Sequence, residues 1–598
     1  MAPVPTGGGH EPWGPSELAS PLTAAPRRTW SWRRIRVRPI VALWIVLLAI
    51  LVLPIAVFLI IAVSPRLFDQ GTDWFTLSAF QAALTGATLQ GFFNSFVMGV
   101  VSAIAATAVG FGLAWMLLRT NAPARTITTG LIFALFLTPS YLIALGWQRL
   151  VEPNGVLQVI GWDPTPLRDV IYGPVGVALV LTVKGIPFAY LAVANALRGL
   201  GREHEDAVRV HGGGAARSVR MALVLISPAI WSALAIVFAE TVSDFGVAST
   251  LANAAQFPVA TYSLYNAVEV FPVNFPLASA ISWLLLILVV LALVLQNRAL
   301  GGRSYRVLSG RTRPGRITAL SWQAKLVWLV CFALLILTTL GVPVFGAISA
   351  SLIDGLGSLA GTHQWDLTNY QRVLTSPNLG GPLLYSTVLA AITATIAVVL
   401  AVACARILAS RRTGAAGRAI DMILLAAVAL PGIVFAAGYI FTFNLPQVNA
   451  IGIRLYGTSQ LLVLAYLATA LPSTTRLLVG SMSQLQESMT HASRVHGRGA
   501  LRTWLSVTLP IISRPVLTAW LLTYSATLLE LPVSQLLAPA GELPLSVGIT
   551  TALGKYDLGG GTAMEVLAIL SALVVVGIGF GAYRLFTPAG WRAVGVAR

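Results

Sequence analysis

Few titratable side chains interrupt the apolar runs of this 598-residue chain, and four of them could do chemistry there: Lys184, Glu240, Asp244 and Glu530. Carboxylates in such surroundings offer oxygen ligands to a hard cation and serve a polyamine equally well. A lysine there suits an anionic ligand. Ionisable groups inside apolar spans are costly and commonly mark a transport path. The structural alternatives are that the carboxylates cap helix ends and that Lys184 snorkels to an interface. Asp244-Phe245-Gly246-Val247 and Glu530-Leu531-Pro532-Val533 lie 286 positions apart and echo one another. His204, His211, His491 and His496 fall in polar loops and His363 stands alone, so no His/Cys cluster has metal-ligand spacing and no bound metal is expected. Cys331 and Cys404 both sit in apolar runs and are expected to be small buried thiols. No nucleophile–base constellation or catalytic carboxylate pair is present, so the chain is not expected to be an enzyme.

A second pattern is a repeated glycine-bearing loop. Arg209-Val210-His211-Gly212-Gly213-Gly214-Ala215 recurs 285 positions later as Arg494-Val495-His496-Gly497-Arg498-Gly499-Ala500, identical at six of seven positions. Each copy reads as a short polar helix, a glycine and a second amphipathic stretch; in the second copy these are Gln484 to His496 and Leu501 to Thr508. Glycine ends a helix in a left-handed turn without steric cost, so Gly212 and Gly497 are expected to bend an L-shaped element. Gly212-Gly213-Gly214 lacks the Lys-Ser/Thr of a phosphate loop, and no G-x-x-x-x-G-K-[S/T] occurs anywhere. ATP hydrolysis by this chain, or any cofactor bound to it, is therefore not expected.

The elements that must position these residues are membrane spans. With 56% hydrophobic and 10% charged residues, the chain has too few polar groups to cover a water-facing surface. Apolar stretches of about 20 residues fall at 40–63, 92–118, 127–147, 173–197, 226–247 and 277–296, then at 326–352, 384–405, 419–442, 459–475, 515–534 and 563–583. That is about twelve helices in an all-α integral membrane protein. Residues 40–63 follow the basic cluster Arg27–Arg38 and end without a small-residue cleavage site, so they are expected to remain as an anchor. Placing the N-terminus inside leaves only Arg66, Arg149, Arg168, Arg372, Arg454 and Lys555 in outside segments, of 39 Lys and Arg in all. That bias fits the positive-inside rule and puts both termini on the cytoplasmic side of a cell membrane. The net charge of +18 then means contact with anionic lipid headgroups rather than nucleic acid. Both repeated loops follow the fourth span of their set and face inside. The expected organisation is a disordered tail (1–39), a first half (40–296), a basic linker (297–325), a second half in the same orientation (326–585) and a cytoplasmic tail (586–598).

The loops resemble those of the permeases of ATP-binding-cassette (ABC) importers, whose signature is Glu-Ala-Ala, three residues, Gly, then an apolar residue and proline further on. His491-Ala492-Ser493, Gly497 and Leu509-Pro510 match it, as do Asp206-Ala207-Val208 and Gly212. The departures are His491 in place of the acid and Val224-Leu225 where Leu-Pro is expected. The resemblance covers both six-span halves and implies the type I importer permease fold. It also implies that Asp206, Ala207, Arg209, His211, Gly212 and Gly214, and Ala492, Arg494, His496, Gly497, Gly499, Leu509 and Pro510, dock on a separate ATPase. Two ATPase copies, binding ATP and Mg²⁺ themselves, and an extracytoplasmic substrate-binding protein would complete a prokaryotic inner-membrane importer. The fused architecture, with Leu137-Thr138-Pro139-Ser140-Tyr141 and Leu430-Pro431-Gly432, is most similar to ferric-iron permeases, whose relatives carry thiamine, polyamines or phosphonates. An ion-gradient transporter of the major facilitator type also has parallel halves and a central basic loop. It gives no reason for repeated loops after the fourth and tenth spans, and Arg119-Thr120-Asn121-Ala122 does not fit its own loop signature.

Overall fold

Inside a bilayer no water satisfies a free backbone group, so an apolar segment must close its hydrogen bonds within itself as a helix. The computed structural model describes residues 41–300, 317–356, 364–410, 414–485 and 487–587. The chain forms two compact units, Met1–Val46, of which the described residues are helical, and Leu47–Arg598. The main helices up to residue 300 are α1 (Val41–Ile60), α2 (Gly86–Arg119), α3 (Arg125–Leu137), α4 (Ser140–Val151), α5 (Pro174–Gly199), α6 (Arg202–Val210), α7 (Ala215–Leu225), α8 (Ser227–Ser243), α9 (Ala260–Glu269) and α10 (Phe275–Leu300). The order then recurs as α11 (Trp322–Leu352), α12 (Pro377–Leu408), α13 (Gly414–Ala429), α14 (Gly432–Phe443), α15 (Ser459–Ser483), α16 (Glu487–Val495), α17 (Ala500–Leu528), α18 (Pro532–Leu537), α19 (Leu545–Gly554) and α20 (Leu558–Phe586). Among the described residues nine helices are long and apolar enough to cross a membrane, or up to twelve if each of three bent pairs is one crossing. The protein is an all-α integral membrane protein.

Two of the expected spans are not straight. Residues 127–147 break at Thr138-Pro139, where α3 and α4 meet at 100°, and residues 419–442 break at Leu430-Pro431, where the angle is 103°. A proline disfavours helical backbone at the residue before it, and Thr138 accordingly turns extended at ψ 121°. The expected spans 226–247 and 515–534 stop at Ser243 and Leu528, just short of Asp244 and Glu530. The short helices α9 and α19 are additional to those expected, starting 285 positions apart at 260 and 545 and ending 285 apart at 269 and 554. Cys404 is buried as expected, whereas Cys331 is on an exposed face of α11. Of the 297–325 linker, residues 301–316 lie outside the described residues, as do the 1–39 tail and most of the 586–598 tail.

Prolines also shape the long helices. Pro54, Pro343 and Pro510 each follow a five-residue π-helical segment by two positions (Leu48–Val52, Leu337–Gly341 and Trp504–Thr508). A proline lacks the N–H that an α-turn needs, and a π-bulge absorbs the missing bond without ending the helix.

The first long helix of each set crosses the other set. The Leu53–Ile60 part of α1 packs on α14, and the Val342–Leu352 part of α11 packs on α4. Both crossings seat a glycine on a proline turn: a Cβ on Gly438 would lie 3.0 Å from the Pro54 oxygen, and one on Gly146 2.6 Å from the Pro343 Cα. Small residues let helix backbones approach this closely. The Tyr439 hydroxyl donates to the Ile50 carbonyl (2.9 Å) and Thr442 Oγ1 to that of Pro54 (3.2 Å).

Candidate functional site

The repeated loops fold alike, residue for residue. Helices α6 and α16 start 285 positions apart (202 and 487) and end 285 apart (210 and 495). After each comes a glycine in the left-handed region, Gly212 at φ +71° and Gly497 at φ +76°. Around it two backbone bonds close the helix end. Gly212 N–H donates to the Arg209 carbonyl (2.8 Å) and Gly213 N–H to that of Val208 (2.8 Å). In the second copy Gly497 N–H donates to Arg494 (3.0 Å) and Arg498 N–H to Ser493 (3.2 Å). This pairing is the Schellman arrangement, which occupies carbonyls that a helix end leaves open. It turns the chain into α7 and α17, capped by the extended Gly214 and Gly499.

What the two loops present to their surroundings is also alike. Val210 and Val495, equivalent positions, are each 85% exposed. Polar residues flank them: Asp206 pairs with Arg202 at 3.3 Å, and His211 Nδ1 lies 2.8 Å from the Ala207 carbonyl. Ala492, Arg494 and His496 are exposed, as are Arg209 and Gly212. Each valine stands between an arginine and a histidine, so both loops present the same apolar and basic side chains to solvent. The loops differ in how they rejoin the membrane. Leu509-Pro510 lies within the continuous α17, whereas α7 and α8 bend by 65° at Ile226. The proline missing from Val224-Leu225 stands three positions on, as Pro228 in the first turn of α8, which is why the first copy breaks where the second only bulges.

The carboxylates separate into two roles. Asp244 Oδ1 accepts the Val247 N–H at 2.7 Å. Glu530 accepts from the N–H groups of Val533 (3.0 Å) and Ser534 (3.1 Å) and from the Ser534 hydroxyl (3.2 Å). Each therefore caps the turn that follows it, at residue i+3, which is the structural alternative raised by the sequence. Lys184 Nζ likewise donates to the Thr138 (3.0 Å) and Phe136 (3.4 Å) carbonyls, closing the end of α3 at its break. Glu240 caps nothing among the described residues. Its side chain is exposed in the last turn of α8. Lys184, Glu240 and Asp244 are close enough to feel one another's charge, whereas Glu530 belongs to a different group, with Tyr141 and Tyr466.

The chain is similar to proteins with stated roles. It is 22% identical over 442 residues to the ferric transport system permease protein FbpB of Actinobacillus pleuropneumoniae, covering 72% of this chain and 61% of that protein. It is 21% identical over 543 residues to a probable ABC transporter permease protein, y4fN, of Sinorhizobium fredii, covering 87% of this chain and 90% of that one. The chain is thus similar, over most of its length, to permease proteins of ABC transporters. The sulfate transport system permease protein CysT of Salmonella typhimurium is 28% identical over 239 residues, 40% of this chain and 82% of CysT. No family model matches the sequence. The chain spans about 61% of the length of the Actinobacillus protein. It is a multi-pass inner-membrane protein.

The chain also holds charged groups that were not singled out as site candidates from the sequence. Glu565, in α20, is 2% exposed, and its Oε2 meets no hydrogen-bond partner among the described residues. Its charge acts on Tyr141 and is offset by Arg149, itself 6% exposed and paired to Glu152 at 3.0 Å. The signal was available: Glu565 is an acidic residue inside a predicted span, subject to the same cost as Glu240.

Proposed function

We propose that this chain is the fused membrane subunit of an ABC importer, with both halves (40–296 and 326–585) facing the same way and both termini in the cytoplasm. The duplicated loop carries the reading: two Schellman-closed helices, each with a valine 85% exposed, are handles of equal shape at equal positions. A symmetric motor needs two such handles, so one chain takes two ATPase copies. Asp206, Ala207, Arg209, His211, Gly212 and Gly214 form the first docking surface. Ala492, Arg494, His496, Gly497 and Gly499 form the second, with Leu509-Pro510 leading it back into the membrane. Substrate arrives from a separate extracytoplasmic binding protein.

The cargo is ferric iron. Relatives named for ferric transport match 72% and 73% of this chain, across both sets of helices, whereas the sulfate permease of Salmonella typhimurium matches 40%. Glu240, exposed on α8, offers the carboxylate oxygen that a hard cation prefers. Uptake of ⁵⁵Fe³⁺, measured against ³⁵S-sulfate, thiamine, a polyamine and a phosphonate in a deletion strain with and without the gene, tests the cargo. Gene-dependent uptake of another solute and none of iron would overturn it. Val210→Asp with Val495→Asp tests the docking: the double variant should reach the membrane yet copurify no ATPase, and normal copurification would end the coupling reading.

A further inference from the structure

Between α2 and α3 the chain makes a short turn, residues 119–123, that touches two distant parts of the molecule. On one side Arg119, 3% exposed, sends its Nη2 to the Leu197 carbonyl (2.8 Å) and the Leu200 carbonyl (2.7 Å). These carbonyls end α5, and α6 begins at Arg202. A helix leaves its last carbonyls open, and a guanidinium is well shaped to take two of them at once. On the other side the Arg119 carbonyl accepts the Thr318 N–H (2.9 Å), and Asn121 N–H donates to the Thr318 carbonyl (3.1 Å). Asn121 Oδ1 accepts the Leu320 N–H (2.8 Å), and Trp328 Nε1 donates to the Pro123 carbonyl (3.1 Å). Residues 318–328 are the end of the linker and the start of α11, the helix whose far part packs on α4.

We propose that Arg119 is a positioning residue that ties the first coupling helix to the linker. One residue holds both: its side chain grips the end of α5, and its backbone carbonyl grips Thr318. A push on α6 is then delivered to α2 and to α11 together, and through α11 to the crossing at Gly146. The contact with the linker is thus made beside the first loop, through the turn that grips the end of α5. This proposal rests on the coupling reading of α6.

Hydrogen exchange of the full-length chain in nanodiscs, copurified with its ATPase, tests the clamp, with the second loop as internal control. Arg119→Met removes the grip on α5, and Thr318→Pro removes the N–H given to the Arg119 carbonyl from an exposed segment. Each should raise exchange at residues 202–210 by about tenfold, leave 487–495 within about twofold of the parent, and lower ATP hydrolysis per copurified complex. Arg119→Lys should fall between parent and Arg119→Met. A burial defect in Arg119→Met that keeps it from the membrane leaves Thr318→Pro to decide alone. Unchanged exchange at 202–210 in Thr318→Pro, or an equal rise in both loops, overturns the clamp. If the parent chain copurifies no ATPase, the coupling reading falls, and the exchange comparison on the chain alone still decides whether Arg119 holds α6.

Discussion

Gly146 sits directly on the Pro343 turn, so closely that a Cβ on Gly146 would lie 2.6 Å from the Pro343 Cα. The obstructing atoms are backbone and cannot swing aside, so Gly146→Ala must push α4 and α11 apart. Overpacking of this kind costs about 1–3 kcal/mol. Gly438, whose Cβ would be 3.0 Å from the Pro54 oxygen, should tolerate alanine better, and Gly112, with nothing within 4 Å, should tolerate it fully. Thermal melting of the three purified variants should rank them in that order. A Gly146→Ala chain that melts with Gly112→Ala would mean the crossing is loose.

At Gly497 the constraint is conformational. A Cβ there meets nothing within 4 Å, but φ is +76°. A side chain in left-handed backbone costs about 1–2 kcal/mol, more if β-branched. Gly497→Val should therefore unwind the Schellman turn without disturbing the membrane helices. The yield of chain in the membrane should hold while ATPase copurification falls, and Gly212→Val should do the same at the first loop. Full copurification by both variants would show that the bend is not needed for docking.

Much of this was legible in the sequence for a physical reason: crossing a bilayer takes about 20 apolar residues in a row, and that is a local property. The repeated loop was equally local, down to the glycine that turns it. The breaks at Pro139 and Pro431 were visible as prolines, but a proline sets only that the helix is interrupted. The angles of 100° and 103° come from what the pieces pack against. Short helices such as α9 and α19 mix polar and apolar residues over ten positions and leave no periodic signal of their own. The exchange of α1 and α11 between the two sets could not be read at all, since Tyr439 and Ile50 meet across 389 positions. For the candidate path, the sequence marked Asp244 and Glu530 as a matched pair. Both accept a backbone N–H three residues on, a capping role that residue type alone did not single out.

Lys184 fills a need created by the break at Thr138. Its ammonium serves two carbonyls at the end of α3, at 3.0 and 3.4 Å, where water is scarce. Lys184→Met keeps the stem and removes the donor, leaving part-buried carbonyls without this partner at a cost of up to about 1–3 kcal/mol. The expected outcome is a lower melting temperature with the α3–α4 elbow loosened, read as faster proteolysis near residue 138. If Lys184→Met melts like the parent and only uptake changes, the lysine belongs to the path and not to the elbow.

Glu240 and Glu530 should respond oppositely to loss of charge. Glu530 is engaged by two backbone N–H groups and a hydroxyl, and replacing such a cap with alanine costs about 0.5–2 kcal/mol. Asp244, which accepts one backbone N–H, from Val247, should sit at the lower end of that range. Glu240 caps no turn among the described residues, and its side chain is exposed. Replacing it with the amide removes a charged carboxylate ligand without undoing a cap. Glu240→Gln should thus keep the parent's melting temperature and lose ⁵⁵Fe³⁺ uptake, while Glu530→Ala should melt lower and lose uptake only as folded chain is lost. Uptake divided by folded chain separates the two. A normal value for Glu240→Gln would remove the carboxylate from the path, and a reduced value for Glu530→Ala would return that residue to it.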